Sequence, residues 1–208
     1  MRIPNEKRNG CARRACEDRR DSAFYVQMTT PRPTPSDVRY AILDSPVGSI
    51  VAATTDRGLA RLAYDDLDGG LDAILDSLAR RLSPRIIEQR AALDAVAREL
   101  DEYFAGRRRS FGVPIDWALV TGFGRRILDA TARIPYGEVA TYAQVAERAG
   151  NPGASRAAGN ALGSNPLPVI VPCHRVVRSG GALGGYTGGL HRKEHLLAIE
   201  RGELTLVA

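Results

Sequence analysis

The sequence predicts an α/β protein with two folded parts: a small antiparallel sheet with helices, followed by a mostly helical part that contains a helix-turn-helix. Three observations support this prediction. Short apolar runs separated by turn signals occupy residues 40–64, two amphipathic helical patterns follow them, and helical patterns dominate after residue 117. The chain has 208 residues, of which 44% are hydrophobic and 25% charged. This composition is that of a globular protein and excludes disordered, collagen-like and disulfide-stapled classes.

Residues 1–36 are predicted to form a disordered basic tail. They mix charged with small residues, lack apolar periodicity and end in a proline-rich stretch. Cys11 and Cys16 lie in this tail without a nearby histidine, so a metal site is not expected there. Three cysteines cannot make a disulfide framework, which favours a reducing cytoplasm. No apolar stretch is long enough to span a bilayer, and the N-terminal residues are too charged for a signal peptide.

Residues 37–112 are predicted to form an α/β scaffold domain. Apolar runs that begin near Val38 alternate with turn sequences, a pattern typical of a three-stranded antiparallel meander. Amphipathic helices are predicted at residues 71–82 and 91–104. Three arginines follow at residues 107–109, and they form either a phosphate contact or an exposed linker cluster, of which the pattern favours the linker.

Residues 113–208 are predicted to form a mostly helical domain. Helical patterns cover residues 123–132, a stretch from residue 141, and residues 154–162. Residues 141–144 have the form of a capping box, and the NPG sequence at 151–153 is a strong turn signal, so the two later helices make a helix-turn-helix candidate. The second of them is rich in small residues and carries Arg156 near its N-terminus, where the helix dipole favours phosphate. Simple packing of this helix on the core is an equally good interpretation.

Cys173 is the candidate for chemistry. It follows the apolar run LPVIV, which predicts a thiol at the point where a buried extended segment meets a polar turn. His174 and the arginines after it are expected to lower the pKa of the thiol from about 8.5 and so to raise the thiolate fraction. Because neighbouring side chains on an extended segment point to opposite faces, His174 reaches the sulfur either directly or through a water. The carboxylate that orients His174 is either Glu194 or Glu200.

These motifs together resemble those of the O6-alkylguanine-DNA alkyltransferases, also called methylated-DNA–protein-cysteine methyltransferases. Residues 172–177, PCHRVV, resemble the active-site signature of this family. Residues 134–146, IPYGEVATYAQVA, are similar to its first DNA-domain helix, and residues 151–166, NPGASRAAGNALGSNP, to its recognition helix and hinge. Residues 184–190, GGYTGGL, resemble its lesion-binding loop. The resemblance implies a ribonuclease H-like N-terminal domain and a helix-turn-helix alkyltransferase domain.

The resemblance also implies roles for individual side chains. Cys173 accepts the alkyl group, His174 polarises it through a water, and Glu200 orients His174. Asn165 braces the turn around the active site, and Tyr142 helps to rotate the target phosphate and to protonate the departing guanine. The residues implied to contact DNA are Arg156, which fills the gap left in the base stack, and Tyr142, Ser155, Ala157 and Gly159. The residues implied to contact the flipped base are Tyr186, Thr187, the main chain of Val176, and Lys193.

The implied function is DNA repair. The protein flips O6-alkylguanine, and also O4-alkylthymine, out of duplex DNA and transfers the alkyl group to Cys173. Because a thioether has no easy hydrolytic exit, the transfer is irreversible and each chain acts once. No cofactor and no metal are implied. The expected partner is double-stranded DNA that contains the lesion, with no membrane, and the protein is expected to act in the cytoplasm as a monomer, with cooperative binding along DNA left open.

Two other functions compete with this one. A helix-turn-helix protein can bind a lesion without chemistry, but relatives of that kind replace the acceptor cysteine that is present here. A Cys-His hydrolase would turn over an ester or an amide and keep its own mass unchanged. The sequence also departs from the family pattern, because His195 replaces a large apolar residue and the zinc ligands of some relatives have no counterpart.

Overall fold

The N-terminal apolar runs form a four-stranded sheet in the computed structural model, which describes residues 37–67 and 69–203. Strands β1 (Val38–Leu43), β2 (Ile50–Thr55) and β3 (Gly58–Tyr64) make the predicted antiparallel meander. A short fourth strand, β4 (Ile86–Glu88), pairs parallel to β1 and gives the order β3-β2-β1-β4. Sequence analysis missed β4 because three residues are too few to show a period. The predicted tail at residues 1–36 lies outside the described residues.

Both faces of the sheet are covered, which is why its strands are almost continuously apolar. The face of β2 that carries Val51 packs against helix α1 (Gly70–Arg81). The opposite face, which carries Ile50, packs into the main core with helix α2 (Asp94–Phe104). The two helices agree with the predicted ones, except that residues 90–93 form a 3₁₀ turn before α2.

The C-terminal part is mostly helical, as predicted. Its helices are α3 (Gly122–Ala132), α4 (Tyr142–Arg148), α5 (Ser155–Gly163) and α6 (Leu190–Glu200). The predicted capping box opens α4, since Thr141 Oγ1 accepts a hydrogen bond from the amide of Gln144, whose side chain accepts one from the amide of Thr141. Helices α4 and α5 pack on each other and on α3 as a helix-turn-helix. None of the helices within residues 37–67 and 69–203 is long and apolar enough to cross a membrane.

A two-stranded parallel sheet joins the helix-turn-helix to the cysteine turn. Strand β5 (Ala140–Thr141) leads directly into α4, and strand β6 (Val176–Val177) follows the PCHR sequence. Ala140 is the partner of Val176 and Thr141 that of Val177. The pairing therefore brings the first residue of α4 close to the turn that holds Cys173.

The segment before Cys173 is tightly turned, and the prediction of an extended segment is wrong. A γ-turn centred on Val169, whose φ is 72°, is closed by a hydrogen bond of 3.0 Å between its two neighbours. A second γ-turn, centred on Pro172, is closed by a hydrogen bond of 2.7 Å from the amide of Cys173. Cys173 then begins a 3₁₀ turn, Cys173–Arg175. The run is apolar because it is buried, and burial alone does not distinguish a strand from a folded turn.

The two parts of the protein contact each other through the free edge of β3. The amide of Leu62 donates to the carbonyl of Pro166 at 2.7 Å, and the amide of Leu59 donates to the carbonyl of Pro114 at 2.8 Å. All the described residues belong to one compact unit. The domain boundary predicted at residues 112 and 113 therefore stays a prediction.

Candidate active site and DNA-facing groove

Cys173 is buried, and Asn165 supports its sulfur. The side-chain amide of Asn165 donates to Sγ at 3.1 Å and to the carbonyl of Val171 at 2.9 Å. Its Oδ1 atom accepts from the amide of Leu167 at 3.0 Å. Asn165 therefore uses both ends of its amide to fold the turn before the cysteine and to place a donor on the sulfur.

Burial raises the pKa of the Cys173 thiol, contrary to the expectation that basic neighbours lower it. The hydrogen bond from Asn165, the charge of Lys193 and the neighbouring backbone N–H groups lower the pKa by less than burial raises it. Arg175, two residues after Cys173, pairs with Glu200 and is not among the groups that lower the pKa of the thiol. The resting form at neutral pH is therefore the thiol, and a base is needed to generate the thiolate.

His174 is buried and pairs with Glu200, whereas Glu194 is exposed. Burial raises the pKa of Glu200, but the hydrogen bonds from His174 and Arg175 outweigh this effect and lower the pKa to about 2. Burial lowers the pKa of His174, so its ring is neutral. Because an ionised carboxylate only accepts, the hydrogen of the ring lies on Nε2, at 2.8 Å from Glu200 Oε1. The Nδ1 atom keeps its lone pair and is buried without a hydrogen-bond partner among the described residues.

Glu200 collects further donors from distant parts of the chain. Arg175 Nε and Nη2 donate to it at 2.9 and 2.8 Å, and Arg175 Nη1 donates to the carbonyl of Ile134 at 2.6 Å. The hydroxyl of Tyr103, on α2, donates at 2.7 Å, and the amide of Gly137 donates at 3.1 Å. Sequence analysis predicted only an amphipathic helix over residues 91–104, which includes Tyr103, and gave Tyr103 no role in the site. Because a buried tyrosine needs a hydrogen-bond partner for its hydroxyl, a tyrosine on the apolar face of this helix is the sequence signal that could have indicated a role beyond packing.

A cavity of about 280 Å³ opens beside Cys173. Its lining residues are Tyr142, Gly159, Leu162, Gly163, Cys173, Gly185, Tyr186 and Thr187. Tyr186 and Thr187 are two of the residues predicted to contact the base. The hydroxyl of Thr187 donates to the carbonyl of Gly163 at 2.8 Å, which ties the loop to the end of α5.

Lys193, also predicted to contact the base, lies behind the loop and does not line this cavity. Its Nζ donates to the carbonyls of Val176 at 2.6 Å, Gly185 at 3.4 Å, and Leu183. Burial lowers the pKa of Lys193 to about 8. The carbonyl of Val176, predicted to accept from the base, already accepts from Lys193 and keeps one lone pair. Lys193 therefore fixes the loop that forms one wall of the cavity.

A wider groove of about 580 Å³ runs along α5 and shares Tyr142, Gly159 and Gly185 with the cavity. The hydroxyl of Tyr142 donates to the carbonyl of Gly185 at 3.4 Å. The predicted DNA contacts that line the groove are Tyr142, Ser155, Arg156 and Gly159, and the lining residues that sequence analysis missed include Asn160 and Arg178. Ala157 is exposed on α5 but does not line the groove. The groove gives the cavity a basic entrance on the side of the helix-turn-helix.

Metal ligands are not clustered in the described part of the chain. Residues 37–67 and 69–203 contain no group of three His, Cys, Asp or Glu side chains that could hold a metal ion. Cys11 and Cys16 lie outside these residues. His195, the departure from the family pattern, is half-buried in α6 and lines neither the cavity nor the groove.

The carboxylate of Glu200 gives stability a defined acid dependence. Because its pKa lies below the ordinary value of 4.5, the stabilisation is complete above about pH 4.5 and is lost as the pH falls towards 2. Glu200→Gln is expected to lower the free energy of unfolding by about 3 kcal/mol near pH 7, because it leaves Arg175 unpaired, and by much less near pH 2. Urea unfolding at stepped pH values measures this difference. Glu194→Gln, on the exposed face of the same helix, is the control and is expected to have no effect. A Glu200→Gln effect that is constant over the whole range contradicts the assignment.

The comparisons with known proteins cover both parts of the chain. Residues 122–202 match the profile described as "6-O-methylguanine DNA methyltransferase, DNA binding domain". Residues 38–117 match the profile described as "6-O-methylguanine DNA methyltransferase, ribonuclease-like domain". The fold inferred from the motifs, with a ribonuclease-like part before a helical DNA-binding part, is thereby confirmed.

Individual relatives agree with these profiles over nearly their whole length. A methylated-DNA–protein-cysteine methyltransferase of Mycolicibacterium paratuberculosis is 38% identical over 164 residues, which are 79% of this chain and 93% of the relative. One of Methanosarcina acetivorans is 39% identical over 161 residues, covering 77% of this chain and 97% of the relative. A crystal structure of Mycobacterium tuberculosis OGT in complex with DNA is 35% identical and superposes with a TM-score of 0.67, covering 79% of this chain and 93% of that one. The chain belongs to the 6-O-methylguanine DNA methyltransferase family.

Proposed function

We propose that this protein repairs DNA by moving an alkyl group from O6 of guanine, and also from O4 of thymine, irreversibly onto its own Cys173. One observation carries the proposal. Cys173 lines a cavity of about 280 Å³ that shares Tyr142, Gly159 and Gly185 with the groove along the recognition helix α5. A nucleotide rotated out of a duplex in that groove enters the cavity and meets the sulfur.

Arg156 and Tyr142 prepare the nucleotide for transfer. An alkyl group on O6 lies inside the base pair, so the nucleotide has to leave the stack, at a cost of a few kcal/mol that is smaller for a mispaired lesion. Arg156, exposed at the beginning of α5, fills the space that the base leaves and offsets part of this cost. Tyr142 stands between groove and cavity, where its ring meets the target phosphate. Tyr186 and Thr187 receive the base.

The transfer itself is a displacement at saturated carbon. The Nδ1 lone pair of His174 takes the thiol proton, through a bridging water, and the charge that forms on the ring is stabilised by Glu200. The Sγ–C bond forms as the C–O6 bond breaks, and its electron pair passes to the guanine. The guanine anion takes a proton that Tyr142 helps to deliver. Because the thiol is neutral at rest, Cys173 reacts little with other electrophiles before the alkylated nucleobase occupies the cavity.

The chemical stability of the product determines how many times each chain can react. A thioether does not hydrolyse at neutral pH, so each chain removes one alkyl group and needs no cofactor. We infer that the protein acts as a monomer in the cytoplasm, because one chain contains every side chain of the proposed reaction and a reactive thiol requires a reducing compartment. Its DNA partner is recognised by the lesion rather than by sequence.

A mass measurement tests the proposal. Mixed with a duplex that contains one O6-methylguanine and with no cofactor, the protein is expected to gain one methyl group, which peptide mapping places on Cys173. Cys173→Ser is expected to gain none and to bind the same duplex with nearly unchanged affinity, because Cys173 does not line the groove that is proposed to contact the phosphates. Tight lesion binding without a mass change would favour a lesion sensor, and product release beyond one equivalent would favour a hydrolase.

Arg156 is expected to matter only when the base has to be flipped. Arg156→Ala should slow transfer from duplex DNA by about tenfold or more, since the flipped state loses a side chain that supports it, while transfer from the free modified base changes little. Single-turnover rate constants on both substrates measure the difference. The matched control is Arg148→Ala, an exposed arginine on α4 that does not line the groove. Equal losses on duplex and free base would remove Arg156 from the flipping step.

His174 is expected to determine the pH dependence of transfer. In His174→Ala the thiol has to lose its proton to hydroxide, so the rate should be low near pH 7 and rise by about tenfold for each pH unit until the thiol ionises. His174→Gln keeps a donor for Glu200 and separates the loss of the base from the loss of structure. Methylation rates from about pH 6 to 9 provide the profile. A profile that matches the unmodified protein in both variants would exclude His174 as the base.

A further inference from the structure

Arg178 is a cation to which the proposed reaction gives no role. It directly follows strand β6 and is exposed, and its side chain has no hydrogen-bond or ion-pair partner among the residues that the structure describes. Sequence analysis expected the arginines after Cys173 to lower the pKa of its thiol, but Arg178 is not among the groups that do so. Its charge is therefore available to something outside the chain.

A tight turn fixes the backbone of Arg178. The amide of Arg178 donates to the carbonyl of Ala182 at 2.8 Å, and the amide of Gly181 donates to the carbonyl of Arg178 at 3.1 Å. The turn passes through Gly180 and Gly181, whose φ values of 88° and 84° are conformations that glycine adopts without strain. The turn therefore presents Arg178 from a fixed position and leaves its side chain exposed.

The side chain of Arg178 lies beside Tyr142. Both side chains pack against Gly184, where an added Cβ would lie 2.9 Å from the hydroxyl oxygen of Tyr142 and 3.4 Å from Cγ of Arg178. Burial raises the pKa of Tyr142, and the charge of Arg178 lowers it by a smaller amount. Such an effect requires a nearby cation, because the energy between charges falls with distance. Arg178 is therefore a neighbour of the residue that is proposed to meet the target phosphate.

Arg178 lines the groove along α5 but does not line the cavity beside Cys173. Among the described residues, the lining of the groove includes one other arginine, Arg156, and no acidic side chain. In the proposed reaction Arg156 enters the base stack, so its charge is not directed at the backbone next to Tyr142. A guanidinium matches a phosphate in charge and in hydrogen-bonding geometry. The position of Arg178 therefore suits the DNA backbone rather than the flipped base.

We propose that Arg178 binds a backbone phosphate next to the flipped nucleotide and holds that nucleotide in its rotated position. A nucleotide that turns out of the duplex carries its flanking phosphates with it, towards the mouth of the cavity at Tyr142. A cation at this mouth attracts a phosphate that has rotated and gives the rotated state a contact of its own. This inference rests on the proposed function and deepens it, because it names the group that binds the backbone at the lesion.

The salt dependence of transfer tests the charge of this contact. A duplex with one O6-methylguanine is mixed with excess protein at about 50 to 200 mM salt, and single-turnover rates give the half-saturating protein concentration. Arg178→Ala is expected to raise this concentration by about tenfold at low salt. The slope of its logarithm against the logarithm of the salt concentration is expected to fall by about 0.9, the value for one phosphate contact. Arg178→Lys keeps the charge and is expected to keep the slope.

Two controls separate this contact from other effects of the substitution. Arg133→Ala removes an exposed arginine that does not line the groove, and its half-saturating concentration and slope are expected to be nearly unchanged. Free O6-benzylguanine has no phosphate, so Arg178→Ala is expected to react with it at nearly the rate of the unmodified protein. An equal loss on duplex and on free base would show a structural role and overturn the inference.

A neutral linkage in the DNA locates the phosphate. Two duplexes carry a methylphosphonate on the 5′ or on the 3′ side of the lesion, and each lacks the charge of one phosphate. At one of these positions Arg178→Ala is expected to cause no further loss, because both changes remove the same contact. Additive losses at both positions, or an unchanged salt slope in Arg178→Ala, would overturn the inference alone. A protein that takes no methyl group would overturn the proposed function, and the inference with it.

Discussion

The buried carboxylate of Glu200 is the group on which the active site depends. It lies at the end of α6 and accepts hydrogen bonds from His174, Arg175, Tyr103 and the amide of Gly137. These donors come from α2, from the turn before β5 and from the cysteine turn, so one carboxylate joins segments that are far apart in the chain. Its full ionisation also determines which nitrogen of His174 carries the hydrogen. A buried charge with this many donors is stable, and removal of one partner leaves the others unpaired.

The resting chemistry of Cys173 follows from the same burial. A thiol whose pKa is raised by burial, next to a histidine whose pKa is lowered by burial, forms a neutral pair. In the proposed reaction, the charges separate when a substrate occupies the cavity and accepts the electron pair. This arrangement suits a reagent that acts once, because a permanently ionised thiolate would react with any small electrophile that reached it. Asn165 positions the sulfur without ionising it.

The N-terminal part of the chain contributes side chains that contact residues around Cys173. The hydroxyl of Tyr103 on α2 donates to Glu200, and the hydroxyl of Tyr64 at the end of β3 lies 3.1 Å from that of Tyr186, in the loop proposed to receive the base. The amide of Leu62 on the same strand holds the carbonyl of Pro166, two positions before the buried turn. The sheet is therefore a wall of the active site as well as a scaffold.

The sequence by itself determined most of the elements and the family. Alternating turn signals and apolar runs predicted the meander, the capping box predicted the beginning of α4, and the PCHRVV motif with its neighbours indicated the family and made Cys173 the candidate for chemistry, because turn, cap and motif signals act over a few residues. Local sequence left Glu194 and Glu200 open as partners of His174, and the tertiary structure pairs His174 with Glu200, as the resemblance to the family implied. Only the tertiary structure folded the LPVIV run into turns, raised the pKa of the thiol and brought Tyr64 and Tyr103 to the site. Each of these depends on burial or on contacts between distant segments, and neither quantity is a property of local sequence.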